Sequence, residues 1–475
     1  MTALTHLSLV EAARMVRDGE VSSRELTEAC IRRTERLGAR LNCYISFDPE
    51  GALAQADAAD RRRAAGETLG PLHGVPLAHK DMYYREGVVT TCGSRIRRDF
   101  RPDRTATVLT RLEAAGALNL GGLNMSEFAF GPTGHNHHFG PARNPWNTAH
   151  VTGGSSSGSG SAVAGRLVFG ALGSDTGGSI RLPAAMCGLA GIKPTQTRVS
   201  RYGVMGLSYS LDTVGPLTRT VRDCARITEV IAGHDPLDPT SSRRPVAGYE
   251  AAATDPDIRG TRIGVPANYY YDGVHPEIRS ALQASLDVYR SLGAEVVEVT
   301  LPDAEATSVI GGALSGTEAI ALHRAWLRDR PDDYGPQVRA RLEMTLAYPA
   351  GDYLAALQVR PRVIRRFVEA VFSRCDVLHC PILGFPVPTI AETDVADSPE
   401  MRKMITDMTR CSRPINYLAL PGLSVPAGFS SSGLPLSFQL IGRPFDEASL
   451  FRFGAAYEAA AGWVEQHPGE DDTGG

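Results

Sequence analysis

Two stretches rich in glycine and serine constrain the fold of this chain more than any other feature of its sequence. The first is TGGSSSGSGSAVAG, residues 152–165, and the second is ALGSDTGGSIRLPAAMCGLAGIKPT, residues 171–195. In each stretch, glycine pairs and serines come directly before a run of small residues that favours a short helix. Glycine pairs let a ligand approach the main chain closely, and N–H groups near a helix start can bind an anion or a developing oxyanion. Both stretches therefore predict a binding or catalytic loop.

Four interpretations of these stretches differ in what else they require. A flexible linker is disfavoured because linkers do not alternate with apolar strands and helices. A phosphate-binding loop is disfavoured because neither stretch contains G-x-x-x-x-G-K-[ST], and no lysine follows the serines before Lys193. Residues 154–158 formally fit the nucleophile elbow G-x-S-x-G, but this match is close to inevitable here, and no later histidine lies in an obvious loop beside a matched strand. The fourth interpretation is a serine nucleophile activated by a lysine.

Lysine is rare among the basic residues of this chain, and arginine is common. Of 49 lysines and arginines, only Lys80, Lys193 and Lys403 are lysines. Unlike arginine, a lysine can lose its proton near neutral pH when burial lowers its pKa. Lys80 ends the apolar run of PLHGVPLAHK, which predicts a buried strand, so it is the candidate general base, provided that Asp81 points to the opposite face of the strand. We expect Lys193 to be structural and Lys403 to be solvated in a charged helix.

Short apolar strands alternate with helices along most of the chain, a pattern typical of an α/β layer architecture. We predict an N-terminal helical segment, residues 1–65, that packs on a single large domain, residues 66–465, followed by a disordered polar tail, residues 466–475. Residues 235–375 are expected to form the more variable side of the domain, where the substrate pocket lies. The predicted elements include a strand at 262–266, a helix at 447–461 and a helix N-cap at Ser23.

Composition narrows the classes of protein to which the chain can belong. A net charge of −4 gives no basic footprint for nucleic acid, and no stretch approaches the roughly 20 apolar residues of a membrane span. The N-terminus lacks the basic start of a signal peptide. The eight cysteines form no CxxC pair, which is typical of reduced thiols in a cytoplasmic protein. A metal site at His135, His137 and His138 is disfavoured because no cysteine or carboxylate lies near them at a regular spacing.

The motifs of this chain closely resemble those of the amidase signature family, and they extend over nearly all of it. Besides the two glycine-serine stretches, the resembling segments are HGVPLAHKDM, NMSEFAFGPTG, RNPWN, LDTVGPLTRTVRDCA and NYLALPGLSVPAGF. The resemblance implies an α/β fold in which helices flank both faces of a central, twisted, mixed β-sheet. It also implies a hydrolase that cleaves the C–N bonds of amides without a metal ion or a cofactor.

The resemblance further implies a Ser–Ser–Lys catalytic triad. Ser179 matches the nucleophile that forms an acyl-enzyme, Ser155 matches a bridging serine held on a cis peptide bond, and Lys80 matches the general base. The chemistry is consistent with these roles, because a serine hydroxyl is a poor nucleophile until a neighbour removes its proton. Ser155 would relay that proton to Lys80 and return it to the leaving nitrogen.

The loop around the nucleophile has implied roles as well. The main-chain N–H groups that match an oxyanion hole belong to Thr176, Gly177, Gly178 and Ser179. Ala129 matches a position that contacts substrate through its main chain. Asp175 and Arg181 match positions that shape the loop.

The family contains both stand-alone amidases and the A subunit of glutamyl-tRNA(Gln) amidotransferase, which the N-terminal half of this chain resembles. Arg341 is a candidate match for the carboxylate-binding arginine of that glutaminase. However, residues 409–412, TRCS, stand where an aspartate for the glutamine α-amino group is expected, and Asp407 is out of register.

We therefore predict a stand-alone amidase, monomeric or homodimeric, with a small-molecule substrate and no nucleic-acid or membrane partner. Its acyl pocket is expected to be apolar or aryl, with carbamates (urethanes) as further substrates. A glutaminase that supplies ammonia to a tRNA-dependent amidotransferase is the alternative, and an inactive binding protein on the same fold is an alternative of another class.

Overall fold

A computed structural model describes residues 4–469 of the chain. The strands in this part are β1 (Tyr44–Phe47), β2 (Pro76–Lys80), β3 (Leu118–Leu123), β4 (Arg143–Asn144), β5 (Asn147–Val151), β6 (Gly170–Asp175), β7 (Ala190–Lys193), β8 (Thr213–Thr218), β9 (Arg262–Pro266), β10 (Glu295–Val299), β11 (Val377–Pro381), β12 (Gly422–Phe429) and β13 (Pro435–Ile441). The α-helices are α1 (Leu9–Asp18), α2 (Ser23–Leu41), α3 (Pro49–Ala64), α4 (Thr107–Ala114), α5 (Ser157–Ala164), α6 (Arg181–Cys187), α7 (Val221–Ile231), α8 (Tyr249–Thr254), α9 (Pro276–Ser291), α10 (Ala304–Asp329), α11 (Pro336–Thr345), α12 (Ala350–Phe372), α13 (Ile390–Thr393), α14 (Glu400–Thr409), α15 (Arg413–Tyr417) and α16 (Glu447–Ala461).

Eleven of these strands form one mixed sheet in the order β1-β3-β2-β6-β8-β7-β12-β13-β11-β9-β10, and β4 pairs with β5 in a separate ribbon. Strands β3, β2 and β6 run parallel to one another, as do β11, β9 and β10. The other neighbours in the sheet are antiparallel. Helices flank this large central sheet, which confirms the predicted α/β fold class.

The parallel strands β2 and β6 place the chemically important residues side by side. Every residue of both strands is buried, as expected of central parallel strands that are covered on both faces. Ala78 pairs with Ala171 and His79 with Leu172. Because both strands run in the same direction, their carboxyl ends meet at one edge of the sheet. Lys80 at the end of β2 therefore lies beside the last residues of β6.

The first glycine-serine stretch is an ordered part of the core. Residues 157–164 form α5, and all eight are buried. Small residues are required there because the helix packs closely on its neighbours: a Cβ at Gly158 would lie 2.4 Å from the carbonyl oxygen of Cys43. No side chain larger than hydrogen fits at that distance in a close-packed interior. The linker interpretation is wrong for this stretch.

Residues 4–65 form a short 3-10 helix (Leu4–His6), the helices α1, α2 and α3, and the strand β1, which pairs antiparallel with β3 at one edge of the sheet. The predicted N-cap at Ser23 is wrong by one residue. Ser22 caps α2, because its side chain accepts from the Glu25 N–H while the Glu25 carboxylate accepts from the Ser22 N–H, which forms a capping box. Of the predicted disordered tail, residues 470–475 lie outside the described residues.

The cysteines and the long helices can be compared with what the composition predicts. All eight cysteines are buried and free. Within residues 4–469, no helix combines the length and the apolar character that a bilayer span requires.

Candidate active site

The Lys80 amine is held by two serine hydroxyls at the edge of the sheet. Lys80 Nζ lies 2.7 Å from Ser155 Oγ and 2.9 Å from Ser174 Oγ. Lys80 is only 1% exposed, and Ser155 is fully buried. Ser174 is brought there by the register of β6 against β2. Ser174 is not among the site residues predicted from the sequence. The parallel pairing of β2 with β6 is the signal that places it near the end of β2.

Burial sets the charge state of this amine. Desolvation lowers the pKa of Lys80 from 10.5 to about 7, and the carboxylates of Asp212 and Asp175 act in the opposite direction. The neighbouring carboxylate of Asp81 points away, because it accepts hydrogen bonds from the Thr91 N–H at 2.8 Å and the Thr91 hydroxyl at 2.5 Å. A large fraction of Lys80 is therefore uncharged at neutral pH and can accept a proton.

The backbone around Ser155 is fixed by the loop at residues 126–134. The Gly154–Ser155 peptide bond is cis. The Gly154 N–H donates to the Pro132 carbonyl at 2.6 Å, and the Ser126 N–H donates to the Ser155 carbonyl at 3.1 Å. These contacts hold the backbone of Ser155 in place.

Ser179 lies next to this arrangement with its hydroxyl unengaged. The Ser156 N–H donates to the Ser179 carbonyl at 3.3 Å, which brings the nucleophile loop against the residue that follows Ser155. Ser179 is half-buried, and within residues 4–469 its hydroxyl has no hydrogen-bond partner. The structure thus joins Lys80 to Ser155 directly and leaves the Ser179 hydroxyl open to an incoming molecule; catalytic hydrogen bonds of this kind often tighten only when substrate is bound.

The carboxylate of Asp175 shapes the loop that carries Ser179. It accepts from the N–H groups of Gly178 at 2.8 Å, Ile180 at 3.2 Å and Arg181 at 3.3 Å. The Gly178 N–H is thus engaged inside the loop, and its predicted use as an oxyanion donor stays a prediction. Within the described residues, the N–H groups of Gly177 and Ser179 have no partner, so these two can stabilise a negative oxygen.

Arg181 and Asn416 hold the Asp175 carboxylate in turn. Arg181 Nε and Nη2 each lie 3.1 Å from a carboxylate oxygen, and Asn416 Nδ2 donates at 2.8 Å. Burial alone would raise the pKa of Asp175, but these contacts and the charge of Lys193 lower it to about 2. The buried ion pair is thus fully hydrogen-bonded, which is the condition under which such a pair is tolerated.

Gly178 and Ser412 form the outer side of the same loop. Gly178 has φ +128°, and a Cβ there would lie 2.3 Å from Ser412 Oγ. The Ser412 hydroxyl donates to the Gly177 carbonyl at 2.5 Å. Only glycine fits at Gly178 for both reasons, and Ser412 is a positioning residue that the sequence pattern did not reveal.

Ala129 lies in an unusual backbone conformation beside Ser155. Phe128 and Ala129 have φ values of +49° and +60°, which side-chain-bearing residues rarely adopt. The Ala129 N–H donates to the Ser126 carbonyl at 2.9 Å, whereas the Ala129 carbonyl accepts no hydrogen bond within residues 4–469. The predicted main-chain contact between Ala129 and substrate is compatible with this open carbonyl and stays a prediction.

The two remaining lysines and the histidine-rich loop contact other groups of the protein. Lys193 is buried, and its Nζ donates to the Pro194 carbonyl at 2.9 Å, whereas Lys403 is exposed and pairs with Asp407. In the histidine-rich loop, His138 Nε2 lies 2.9 Å from Glu127 Oε1. The described part of the chain contains no group of three or more histidine, cysteine, aspartate or glutamate side chains that could hold a metal ion.

Comparison with known proteins gives consistent results. The amidase family model matches residues 25–451. The A subunit of glutamyl-tRNA(Gln) amidotransferase from Roseiflexus sp. (strain RS-1) is 44% identical, over 98% of this chain and 99% of that protein. The structure of a vestigial protein complex related to the origins of an s-triazine catabolic enzyme matches with 36% identity and a TM-score of 0.89, over 95% of this chain and 98% of that one. The native peptide amidase of Stenotrophomonas maltophilia matches with 29% identity and a TM-score of 0.84, over 98% of this chain and 99% of that one.

Proposed function

Because the chain belongs to the amidase signature family, whose members hydrolyse C–N bonds of amides, we propose that it does so through an acyl-enzyme on Ser179. The observation that carries the proposal is the buried Lys80 amine, 2.7 Å from Ser155 Oγ, with its pKa lowered to about 7. An uncharged amine in that place can accept the proton that a serine nucleophile must lose.

The reaction proceeds in two halves. Ser155 gives its proton to Lys80 and takes one from Ser179, whose oxygen attacks the amide carbon. The carbonyl oxygen becomes negative and is stabilised by the N–H groups of Gly177 and Ser179. The proton then returns from Lys80 through Ser155 to the leaving nitrogen, the C–N bond breaks, and an ester on Ser179 remains.

In the second half, water hydrolyses the ester on Ser179, and the Ser155–Lys80 pair again transfers the proton. The Ser155–Lys80 pair removes a proton from a water molecule, which attacks the ester carbon. The bond to the Ser179 oxygen breaks, the proton returns to that oxygen, and the carboxylic acid leaves. The net reaction consumes one water and yields one acid and one amine or ammonia.

The nature of the acyl group distinguishes the candidate functions. The predicted apolar or aryl pocket, with carbamates as further substrates, gains no support from the curated relatives. A glutaminase is the better supported second candidate, since relatives 39–44% identical over most of the chain are named as the A subunit of glutamyl-tRNA(Gln) amidotransferase. In that case the chain would work in a complex with other proteins rather than as a monomer or homodimer.

One set of assays separates these functions. A fluorophosphonate followed by mass spectrometry should place its adduct on Ser179, and a protein that is neither labelled nor active on any amide would be the inactive binding protein. Hydrolysis rates for an aliphatic amide, an anilide, an aryl carbamate and glutamine then rank the substrates. Glutamine-dependent ammonia release that exceeds all other rates would identify the glutaminase.

A further inference from the structure

The Lys80 amine has two hydroxyl neighbours but, when uncharged, only one lone pair. Its Nζ lies 2.7 Å from Ser155 Oγ and 2.9 Å from Ser174 Oγ. The amine can therefore accept a proton from only one of the two hydroxyls at a time. The proposed reaction requires that this hydroxyl be the one of Ser155. If Ser174 donated to the lone pair instead, the amine could not take the proton of Ser155.

The side chain of Met82 offers the Ser174 hydroxyl a different acceptor. Ser174 Oγ lies 3.1 Å from Met82 Sδ, to which it donates. A thioether sulfur has no hydrogen to give, so it can only accept. When the Ser174 proton points at the sulfur, the Ser174 oxygen accepts an N–H of Lys80. The lone pair of the amine is then left for Ser155.

The Ser155 hydroxyl has no such second acceptor. Its only hydrogen-bond partner within residues 4–469 is Lys80 Nζ, and the residue is fully buried. A buried hydroxyl that leaves its proton unpaired loses free energy, so the Ser155 proton is directed to the lysine. The two serines thus differ in whether another acceptor competes with Lys80 for their protons.

The position of Ser174 is fixed by its neighbours in the sheet. Its N–H donates to Ser156 Oγ at 3.3 Å, and it pairs with Val214 of β8. Ser174 and Met82 are 3% and 2% exposed. Side chains in such a close-packed interior occupy one rotamer, so the Ser174 oxygen stays beside the amine in both charge states of Lys80.

We propose that Ser174 is a positioning residue for the reaction: its oxygen accepts an N–H of Lys80, which turns the lone pair toward Ser155 and stabilises the ammonium formed when Lys80 takes the proton. Met82 supports this role by accepting the Ser174 proton. The transferred proton moves between Ser155 and Lys80 and does not pass through Ser174. The inference rests on the proposed function and adds a residue to its Ser155–Lys80 pair.

Ser174→Ala should change the pH profile of Ser179 labelling by a fluorophosphonate in two ways. The maximum rate should fall roughly 10- to 10²-fold, as expected when a hydrogen bond to a charged group is lost. The ammonium loses an acceptor as well, so the pKa of Lys80 falls, and half-maximal labelling should move to a pH about one unit lower. A loss of packing alone would lower the melting temperature without moving the half-maximal pH.

The other titratable groups that act on Lys80 remain in place in this variant. They are the carboxylate of Asp175 at the end of β6, the carboxylate of Asp212 directly before β8, and the Cys92 thiol in the loop that follows β2. None of them has a hydrogen bond to the Ser174 hydroxyl within the described residues. A shift of the pH profile therefore reports the loss of the Ser174 oxygen.

Met82→Leu tests the role of the sulfur. Leucine is similar in volume but cannot accept a hydrogen bond, so the Ser174 proton competes for the lone pair of Lys80. The maximum labelling rate should fall roughly two- to tenfold. The double variant Met82→Leu with Ser174→Ala should be no slower than Ser174→Ala alone, because Met82 acts only through Ser174. An unchanged rate in Met82→Leu, or an additive loss in the double variant, would overturn the role of Met82.

A conservative variant and a matched control complete the experiment. Ser174→Thr keeps the hydroxyl and should restore most of the labelling rate and the original half-maximal pH. The control is Ser437→Ala, a buried serine on β13 whose hydroxyl donates to the Ala185 carbonyl at 3.2 Å. It should leave both quantities unchanged.

The results separate this inference from the proposed function. Ser174→Ala with the rate and half-maximal pH of the control would overturn the inference. A Ser174→Thr protein that melts like the unmodified protein but is labelled like Ser174→Ala would do the same. If the unmodified protein is not labelled at Ser179, the proposed function fails. Labelling that rises with pH but does not depend on Ser174 overturns only this inference.

Discussion

Two sets of polar groups meet at this site, and they differ in how completely they are paired. The groups around Ser155, Asp175 and Arg181 are buried, and nearly every donor and acceptor among them has a partner. The guanidinium groups of Arg341 and Arg413 are half-buried, and within residues 4–469 most of their donors have no partner. We infer that the first set is held in one geometry by its own hydrogen bonds, whereas the second set is not held in this way. Changes in the first set should therefore affect every substrate.

The largest effect tests the first set at the nucleophile. Ser179→Ala should reduce kcat/KM for every amide by at least about 10⁴-fold, because no acyl-enzyme can form. Its unfolding curve should match that of the unmodified protein, since the Ser179 hydroxyl makes no hydrogen bond within the described residues. An alanine variant that keeps even a hundredth of the activity on any substrate would show that Ser179 is not the nucleophile.

The second prediction concerns Lys80 and asks whether its positive charge or its ability to accept a proton supports catalysis. Lys80→Arg should lower kcat/KM roughly 10³-fold or more, because a guanidinium stays protonated and cannot accept the proton of Ser155. The matched change at the other buried lysine, Lys193→Arg, should cost stability in a melting experiment without abolishing the labelling of Ser179. Retention of a tenth of the activity in Lys80→Arg would contradict the role of Lys80 as the base.

Gly178→Ala tests whether the loop has only one acceptable geometry. The added Cβ would clash with Ser412 Oγ and is strained at φ +128°, so the oxyanion donors should shift and kcat should fall about 10²-fold. The double variant Gly178→Ala with Ser412→Ala removes the contact with Oγ, but the Cβ at position 412 would still lie 2.8 Å from the added Cβ, and the strained backbone angle remains. We therefore expect it to recover only part of the rate. Full recovery would mean that neither the backbone angle nor the remaining Cβ contact is important.

Asp175→Asn gives the largest expected change in stability. It leaves the buried Arg181 without its counter-charge, which should lower the free energy of unfolding by about 3–5 kcal/mol. The pH dependence has a definite sign: because the pKa of Asp175 is lowered from 3.8 to about 2, its stabilisation is present above about pH 4 and is lost as pH falls through 2. Denaturant unfolding at pH 7 and pH 3 measures both. A loss below 1 kcal/mol would show that the network is not needed for the fold.

The two sets also differ in how far the sequence predicts them. Lys80, Ser155 and Ser179 lie in continuous motifs, and β9 and α16 begin and end at the predicted residues, since apolar periodicity and flanking turns are local signals. The direction of the Gly178 N–H follows from one backbone angle, which residue types do not specify. The position of Arg413 against Gly311 and Gly312 of α10 depends on tertiary packing between segments that lie far apart in the chain. Strand β1 was missed because its four residues carry too little periodicity.

The pH dependence of Ser179 labelling tests the central claim most directly, because it reports the activation of the nucleophile without any choice of substrate. The claim is that an uncharged Lys80 removes the proton from Ser179 through Ser155. With its pKa at about 7, the rate of fluorophosphonate labelling should rise with pH, reach half of its maximum near pH 7 and then level off. A rate that does not change between pH 5 and pH 9, or that rises only near the ordinary pKa of a lysine, would contradict the account.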